Sequence, residues 1–343
     1  MTPSQAMVEQ RLKLLSHIPA ASNDPLQSPM LEGVPVFAVH GLDQQTLPLV
    51  VVSPHSGRYY PESMKELTAL DDKALMQSED TLVDRLVEPI AWRGGVVLEA
   101  NIARAYVDLN REPNELNSAL FDGFEADTDV WHSPRVAANL GVIPGIITQK
   151  TPIYSEPLPF GEAEARLQSV YHPFHMALCE LVQKTMMRFG QCLLVDCHSM
   201  PPLQSLSFKT EPTGESGIQN TGSLDVVIGD RSGSSCDVSL SLNFVEQFRQ
   251  KGLVVERNRP FAGGAITQRY AMSNGLGREI QSMQIELSRQ LYLNFDPNNM
   301  SSRYPNQQFY MIRQIFCNAI IATVRRFAHQ ETFDVEHYPL AAE

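Results

Sequence analysis

The sequence predicts an α/β fold with a central mixed sheet flanked by helices on both faces, and three observations carry that expectation. Apolar, β-branched runs of strand length alternate with amphipathic helical stretches along the chain. Two of these runs, Val50 to Ser53 and Cys192 to Val195, lead into histidine-bearing segments, Pro54-His55-Ser56-Gly57 and Asp196-Cys197-His198-Ser199, the second stopped by Pro201 and Pro202. Clear helices precede and follow most of the core strands, which disfavours an all-β arrangement.

Residues 1 to 33 read as a polar extension, in which Pro19, Asn23, Asp24, Pro25 and Pro29 limit regular structure after a short helix around Val8 to Leu15. Val34 to Val39 and Leu47 to Ser53 are strands joined by a turn beginning at Gly41. Asp71 and Asp72 cap a short helix. Thr81 to Arg93 is a clearer one, with Leu82, Val83, Leu86 and Ile90 on one face and Gly94-Gly95 at its end. Val96 to Ile102 and Ala105 to Asn110 read as two further strands, the second closed by Pro113. Residues 112 to 160 are irregular, and a long irregular insert in a compact domain is expected to cover a substrate. Glu162 to Phe189 is a long helix with a kink expected at Pro173. Residues 201 to 223 form a loop over the site. Leu224 to Gly229 and Val254 to Arg257 are strands on either side of a helix from Cys236 to Lys251, and Gly263-Gly264 turns the chain before Thr267 to Tyr270. Ser282 to Ser288 is the last strand and Phe309 to Phe327 the last helix. The organisation expected is an extension over 1–33, one domain over 34–330 and a tail over 331–343, with no internal repeat.

With 343 residues, 43% of them hydrophobic, the chain can bury a large core. A formal net charge of −12 argues against a nucleic-acid partner, because phosphate binding needs an excess of Lys and Arg. Five cysteines without a CxxC pair point to reduced thiols and a cytoplasmic protein. No apolar run approaches the ~20 residues of a membrane span, so no membrane partner is expected. A small-molecule substrate is the partner that remains; nothing in the sequence sets an oligomeric state.

Ligands in open α/β sheets bind outside the carboxyl ends of the strands, so His55 and His198 can converge although remote in sequence. A hydrolytic zinc site takes three protein ligands and keeps one position open, with nitrogen and carboxylate ligands when no thiolate cluster exists. Glu79 and Asp80, at the mouth of the helix that begins near Thr81, offer the carboxylate; the plainer role for acids there is to offset the helix dipole. Asp108-Leu109-Asn110-Arg111 is a second constellation, since a guanidinium fork beside a carboxamide can hold a substrate carboxylate; a surface ion pair of Arg111 with Glu112 or Glu115 is the alternative. Arg104 could polarise a carbonyl. Glu286, flanked by apolar residues, must either pair with an arginine such as Arg289 or work as a general base.

Ser53-Pro54-His55-Ser56-Gly57, the run from Arg104 through Asp108, Asn110 and Arg111 to Pro113, Asp196-Cys197-His198-Ser199, Gly263-Gly264 through Thr267 to Tyr270, and Gln284-Ile285-Glu286-Leu287-Ser288-Arg289 occur in this order over roughly residues 34 to 295. Together they resemble the N-formylglutamate amidohydrolase family. The resemblance implies a zinc carboxypeptidase-like (phosphorylase/hydrolase-like) fold. It also implies a zinc ion, replaceable by cobalt, held by His55, His198 and a carboxylate, with register favouring Asp80 over Glu79. Glu286 and Arg104 are then the catalytic groups, and Asn110, Arg111, His175 and Thr267 the substrate-binding ones. His175 lies in a Tyr171-to-His175 segment whose role, substrate contact or helix packing, stays open. The implied reaction converts N-formyl-L-glutamate to formate and L-glutamate, as in histidine degradation. A desuccinylase, an aspartoacylase-like deacylase, a carboxypeptidase on short peptides, and a metal-binding module without turnover are the alternatives.

Overall fold

Runs of Val, Leu and Ile without polar alternation belong in strands covered on both faces, and the computed structural model places them there. It describes residues 24–124, 133–147, 151–204, 223–270, 280–294 and 304–334. Seven strands form one mixed sheet: β1 (Phe37–His40), β2 (Leu49–Ser53), β3 (Val96–Ala100), β4 (Cys192–Met200), β5 (Val226–Gly229), β6 (Val255–Arg257) and β7 (Ile280–Ser288). Their spatial order is β6-β5-β7-β4-β2-β3-β1. The centre is parallel, β3 with β2, β2 with β4 and β4 with β7. Antiparallel pairings of β1 with β3 and β5 with β7 make the sheet mixed.

The period-2 alternation of side chains divides each central strand between two apolar layers. Val50, Val52 and Leu194 face a layer that includes Phe174, Leu178 and Leu181 of helix α2 (His172–Phe189). Leu49, Val51, Leu193 and Val195 face the other, built on α1 (Val83–Val87), α3 (Val238–Arg249) and α5 (Phe309–Asp334). The same alternation sends Asp196, His198, Gln284 and Glu286 to the α2 side, beyond the apolar residues, toward the carboxyl ends of β4 and β7.

The central sheet and its helices agree with the sequence, and four segments differ for identifiable reasons. Ala105 to Asn110 is not a strand: the Asp108 carboxylate accepts the N–H of Asn110 at 2.9 Å, an Asx turn, and the Asp108 N–H donates to Val142 O at 2.8 Å. The helix expected over Thr81 to Arg93 is α-helical only through Val87, and Glu88–Arg93 is a tighter 3₁₀ stretch with Pro89 at its start. The strand expected from Val34 is split, Val34–Pro35 pairing back on Met30–Leu31 before β1 begins. The long helix preceding β4 runs from Phe160–Arg166 into α2 through a π-helical stretch, Leu167–Tyr171, so its irregularity lies just before Pro173. The helix expected around Val8 to Leu15 and most of the 201–223 loop lie outside the described residues.

Candidate active site

Strand β4 carries its ladder past His198 to Met200, and His198 stands opposite Glu286 of β7. The histidine is therefore inside the sheet rather than beyond its end, because the parallel pairing continues to Ser288 and Met200. His55 reaches the same point from the turn after β2. The turn is held down by the Asp80 N–H donating to His55 O at 2.9 Å and the Asp84 N–H donating to Ser56 Oγ at 3.1 Å. Leu82, between these two acids, adopts a left-handed φ of 60°, an unfavourable conformation for a branched residue. The Tyr292 hydroxyl donating to Thr81 O at 3.0 Å helps to hold it.

The two imidazoles, with ring centroids 4.7 Å apart, turn their Nδ1 atoms toward one oxygen. His198 Nδ1 is 2.9 Å and His55 Nδ1 3.4 Å from Asp80 Oδ2. His55, Asp80 and His198 each offer a donor atom within 4.8 Å of the others, and all three are buried. Their outer nitrogens meet carboxylates: His55 Nε2 is 2.7 Å from Asp108 Oδ1, and His198 Nε2 is 2.8 Å from Asp196 Oδ1. A carboxylate behind each histidine is the usual support for a metal ligand, since it fixes the tautomer and raises basicity. The buried His55 Nδ1 has no hydrogen-bond partner among the described residues. An orphaned nitrogen aimed at a second histidine and a carboxylate is what a divalent cation would satisfy, so the donor set fits a metal. Glu79, the alternative carboxylate, instead accepts from the Tyr60 hydroxyl at 2.5 Å and is outside the group.

Burial alone would raise Asp80, yet the hydrogen bond from His198 and the close approach of His55 hold it well below the ordinary carboxylate range. Burial would lower His198, but the charges of Asp196 and Asp80 hold it well above the usual histidine value. Glu286 is pushed up to about 7, mainly by burial, with His198 and Arg104 opposing. Its carboxylate accepts from Gln284 Nε2 at 2.7 Å, while Arg289, the alternative partner, donates to Ser199 Oγ at 3.0 Å and lies 3.4 Å from Asp80.

His55, Asp80, Asp108, His198, Ser199, Gln284, Glu286 and Arg289 border one cleft of about 400 Å³, lined also by Arg104, Asn110, Arg111, Arg135, Leu140, Ile146, Ile147, Phe261 and Gly264, while Glu79 and Asp196 lie behind it. Part of the irregular 112–160 stretch thus forms a wall of the site. Arg104 donates to Asp108 Oδ2 at 2.6 Å and Arg111 to Leu140 O and Asn110 O, both at 2.9 Å. Arg111 forms no ion pair with Glu112 or Glu115.

Three of the expected substrate contacts have other work. Asn110 Nδ2 lies 2.9 Å from Asp196 Oδ2 and 3.0 Å from His198 Nε2, and its Oδ1 accepts the Ile266 N–H at 2.9 Å. Its carboxamide thereby ties β4 to helix α4 (Ala265–Arg269) instead of waiting for a ligand. A Cβ at Gly264 would come within 2.4 Å of that carboxamide, so a residue without a side chain is required there. His175 is buried in α2, Nε2 donating to Leu109 O at 2.9 Å and Nδ1 accepting from Arg269 at 3.0 Å. Thr267 is fully buried and does not border the cleft. Asp108 and Asp196, on the other hand, support the histidines, a role that the sequence reading did not give them. A carboxylate two residues before His198, and one within a motif already singled out, were the available signals.

With this geometry in place, comparisons with known proteins bear on it. The sequence family described as N-formylglutamate amidohydrolase matches residues 47–293. N-formylglutamate deformylase of Pseudomonas putida is 25% identical over 253 residues, spanning 73% of this chain and 83% of that protein. The crystal structure of N-formylglutamate amidohydrolase from Ralstonia eutropha JMP134 superposes with a TM-score of 0.71 at 29% identity, over 85% of this chain and 99% of that one. A gene product of Agrobacterium tumefaciens shares the fold at 16% identity and a TM-score of 0.54, over 85% of this chain and 96% of its own.

Proposed function

The chain belongs to the N-formylglutamate amidohydrolase family and is a hydrolase of an amide bond, and from that premise we propose that it cleaves N-formyl-L-glutamate to formate and L-glutamate with one zinc ion. The observation that carries the reading is the meeting of His55, Asp80 and His198 with Glu286 on one cleft. The chemistry of that donor set supports zinc: two imidazoles and one carboxylate suit a borderline-soft cation and leave a coordination position open. When bound, such an ion supplies Lewis-acid polarisation of the formyl oxygen and lowers the pKa of water to about 7.

The protein's own groups do the rest. Glu286, buried and raised toward 7, is suited to take a proton from water and pass it to the leaving amine. Arg104, anchored on Asp108 at 2.6 Å, aims charge at the oxygen that becomes anionic. Arg111 offers a guanidinium to the α-carboxylate. Asp108 and Asp196 hold the imidazoles in orientation. A zinc carboxypeptidase-like fold, a catalytic unit over residues 34–330, a cytoplasmic setting and a place in histidine degradation accord with this reading. The test is a panel of N-formyl, N-acetyl and N-succinyl derivatives of glutamate and aspartate, assayed with zinc and with cobalt. Formate release from N-formyl-L-glutamate is the expected dominant activity. Preferential succinate or acetate release would assign the chain to another deacylase, and no turnover with one metal per chain would make it a binding module.

A further inference from the structure

Beside the cleft lies a second hollow of about 290 Å³, which shares Asn110, Arg111, Arg135, Gly263 and Gly264 with it and adds Arg231. Arg231 sits on an unusual platform. It and the two residues after it all have left-handed φ values, 51°, 58° and 86°. Only a heavily braced backbone keeps two non-glycine residues in that region. The bracing is present: Asn258 Oδ1 accepts the N–H groups of Asp230 and Ser232 at 3.0 and 3.3 Å. The buried Asp230 carboxylate accepts from Gly233 N, Asn258 Nδ2 and Arg257 Nε at 3.1, 2.7 and 2.7 Å. Among the described residues, the guanidinium so placed makes a single long hydrogen bond, to Gly263 O at 3.4 Å.

Two acids also border the hollow, and each is already occupied. Glu112 is paired with Arg269 at 2.9 Å, and Glu115 accepts from the Glu112 N–H at 3.0 Å and from Ser133 Oγ at 3.4 Å. Three arginines against two engaged carboxylates leave the hollow cationic. From this geometry we propose that the hollow is a subsite for a second carboxylate of the substrate, with Arg231 as the residue that selects an N-acyl amino acid whose side chain ends in a carboxylate. The proposal rests on the amidohydrolase reading and adds to it the group that distinguishes acidic from neutral side chains.

Metal-loaded wild type, Arg231→Gln and Arg231→Asn, the last chosen because asparagine tolerates a left-handed backbone, would be compared on N-formyl-L-glutamate and N-formyl-L-glutamine. A charge-assisted hydrogen bond corresponds to a factor of roughly 10 to 100 in binding. Both variants should therefore lose about that factor in kcat/KM on the glutamate substrate, through KM, and change less than about 3-fold on the glutamine substrate. Arg231→Lys should recover part of the loss. Turnover of the glutamine substrate doubles as the folding control. Equal losses on both substrates, or an unchanged ratio between them, in variants of an enzyme that does hydrolyse N-formylglutamate would overturn the subsite alone. A wild-type protein inert on both substrates would overturn the underlying function as well.

Discussion

The two halves of the candidate site are built on different kinds of backbone. His198 and Glu286 are neighbours in a parallel ladder, carried by two nine-residue strands whose residues are all buried. His55, Asp108 and Arg104 come from turns, fixed by side-chain hydrogen bonds to one another and by isolated backbone hydrogen bonds to Asp80 and Val142. Backbone ladders place the first half. Polar side chains place the second, which makes it the half that depends on single residues away from the chemistry. The contrast teaches that a site can be stiff on one wall because of sheet cooperativity and on the other because a few acids are shared among several donors.

The strongest way to probe the ladder half is Glu286→Gln, which should reduce turnover by about 10³-fold or more while leaving metal content at the wild-type level; full activity would remove Glu286 from the mechanism. Next come the histidines. His55→Ala and His198→Ala should each lose the metal on elemental analysis, but His198→Ala should melt earlier, because it leaves Asp80 and Asp196, on opposite sides of the ring, both buried without the imidazole, a penalty of about 3 kcal/mol. Equal melting temperatures would mean that the turn half is as stability-critical as the sheet half. The carboxylates behind the histidines compare the halves directly. Asp108→Asn and Asp196→Asn should weaken metal affinity by about 10- to 100-fold in a competition titration. Asp108→Asn should show the larger loss, since Asp108 also holds Arg104 and the Asn110 N–H.

Smaller still is Tyr171→Phe. Its hydroxyl donates to Arg111 O at 2.7 Å and accepts from Arg269 at 2.8 Å, so removing it should raise KM by about 5-fold, the worth of the one hydrogen bond that positions Arg111. Asp225, next to β5 and outside the lining of the cleft, should leave turnover untouched and sharpen the comparison as a control. Burial raises its carboxyl to about 6, with only the Val254 N–H opposing. The folded protein then holds a proton there that the unfolded chain has released, so stability falls as pH rises from about 4 to 6 and levels off above that. Asp225→Asn should flatten that slope and raise the melting temperature at pH 7.5, by up to about 3 kcal/mol of stability; a slope unchanged in the variant would dismiss the assignment.

Legibility from the sequence follows the same division. The strands around His198 and Glu286 could be read because uninterrupted Val, Leu and Ile runs specify buried strands without help from distant residues. Glu79 and Asp80 could both be named because they lie just before the helix-forming stretch that follows His55, and the family resemblance favoured Asp80. Ala105 to Asn110 could not, since its strand-like alternation competes with an Asx turn that becomes visible only when His55 and Arg104 are seen to share Asp108. The structural partners of Asn110 and His175 were illegible for a related reason: nothing in the sequence brings the Ile266 N–H to the carboxamide or the Leu109 carbonyl to the imidazole.

The π-helical stretch Leu167–Tyr171 gives one continuous helix two incompatible phases. Upstream of it, Arg166 lies against the rings of Tyr106 and Tyr154; at its end and beyond, Tyr171 and His175 reach the carbonyls of Arg111 and Leu109. Deleting a single residue there would restore regular winding and swing one end about 100° relative to the other, so the helix would keep its length and its apolar stripe while letting go of either Arg166 or the Asn110–Arg111 wall. An irregularity in a covering helix is thereby coupled to the position of a guanidinium in the cleft, and insertions or deletions in that helix should be tolerated far less than substitutions on its outer face.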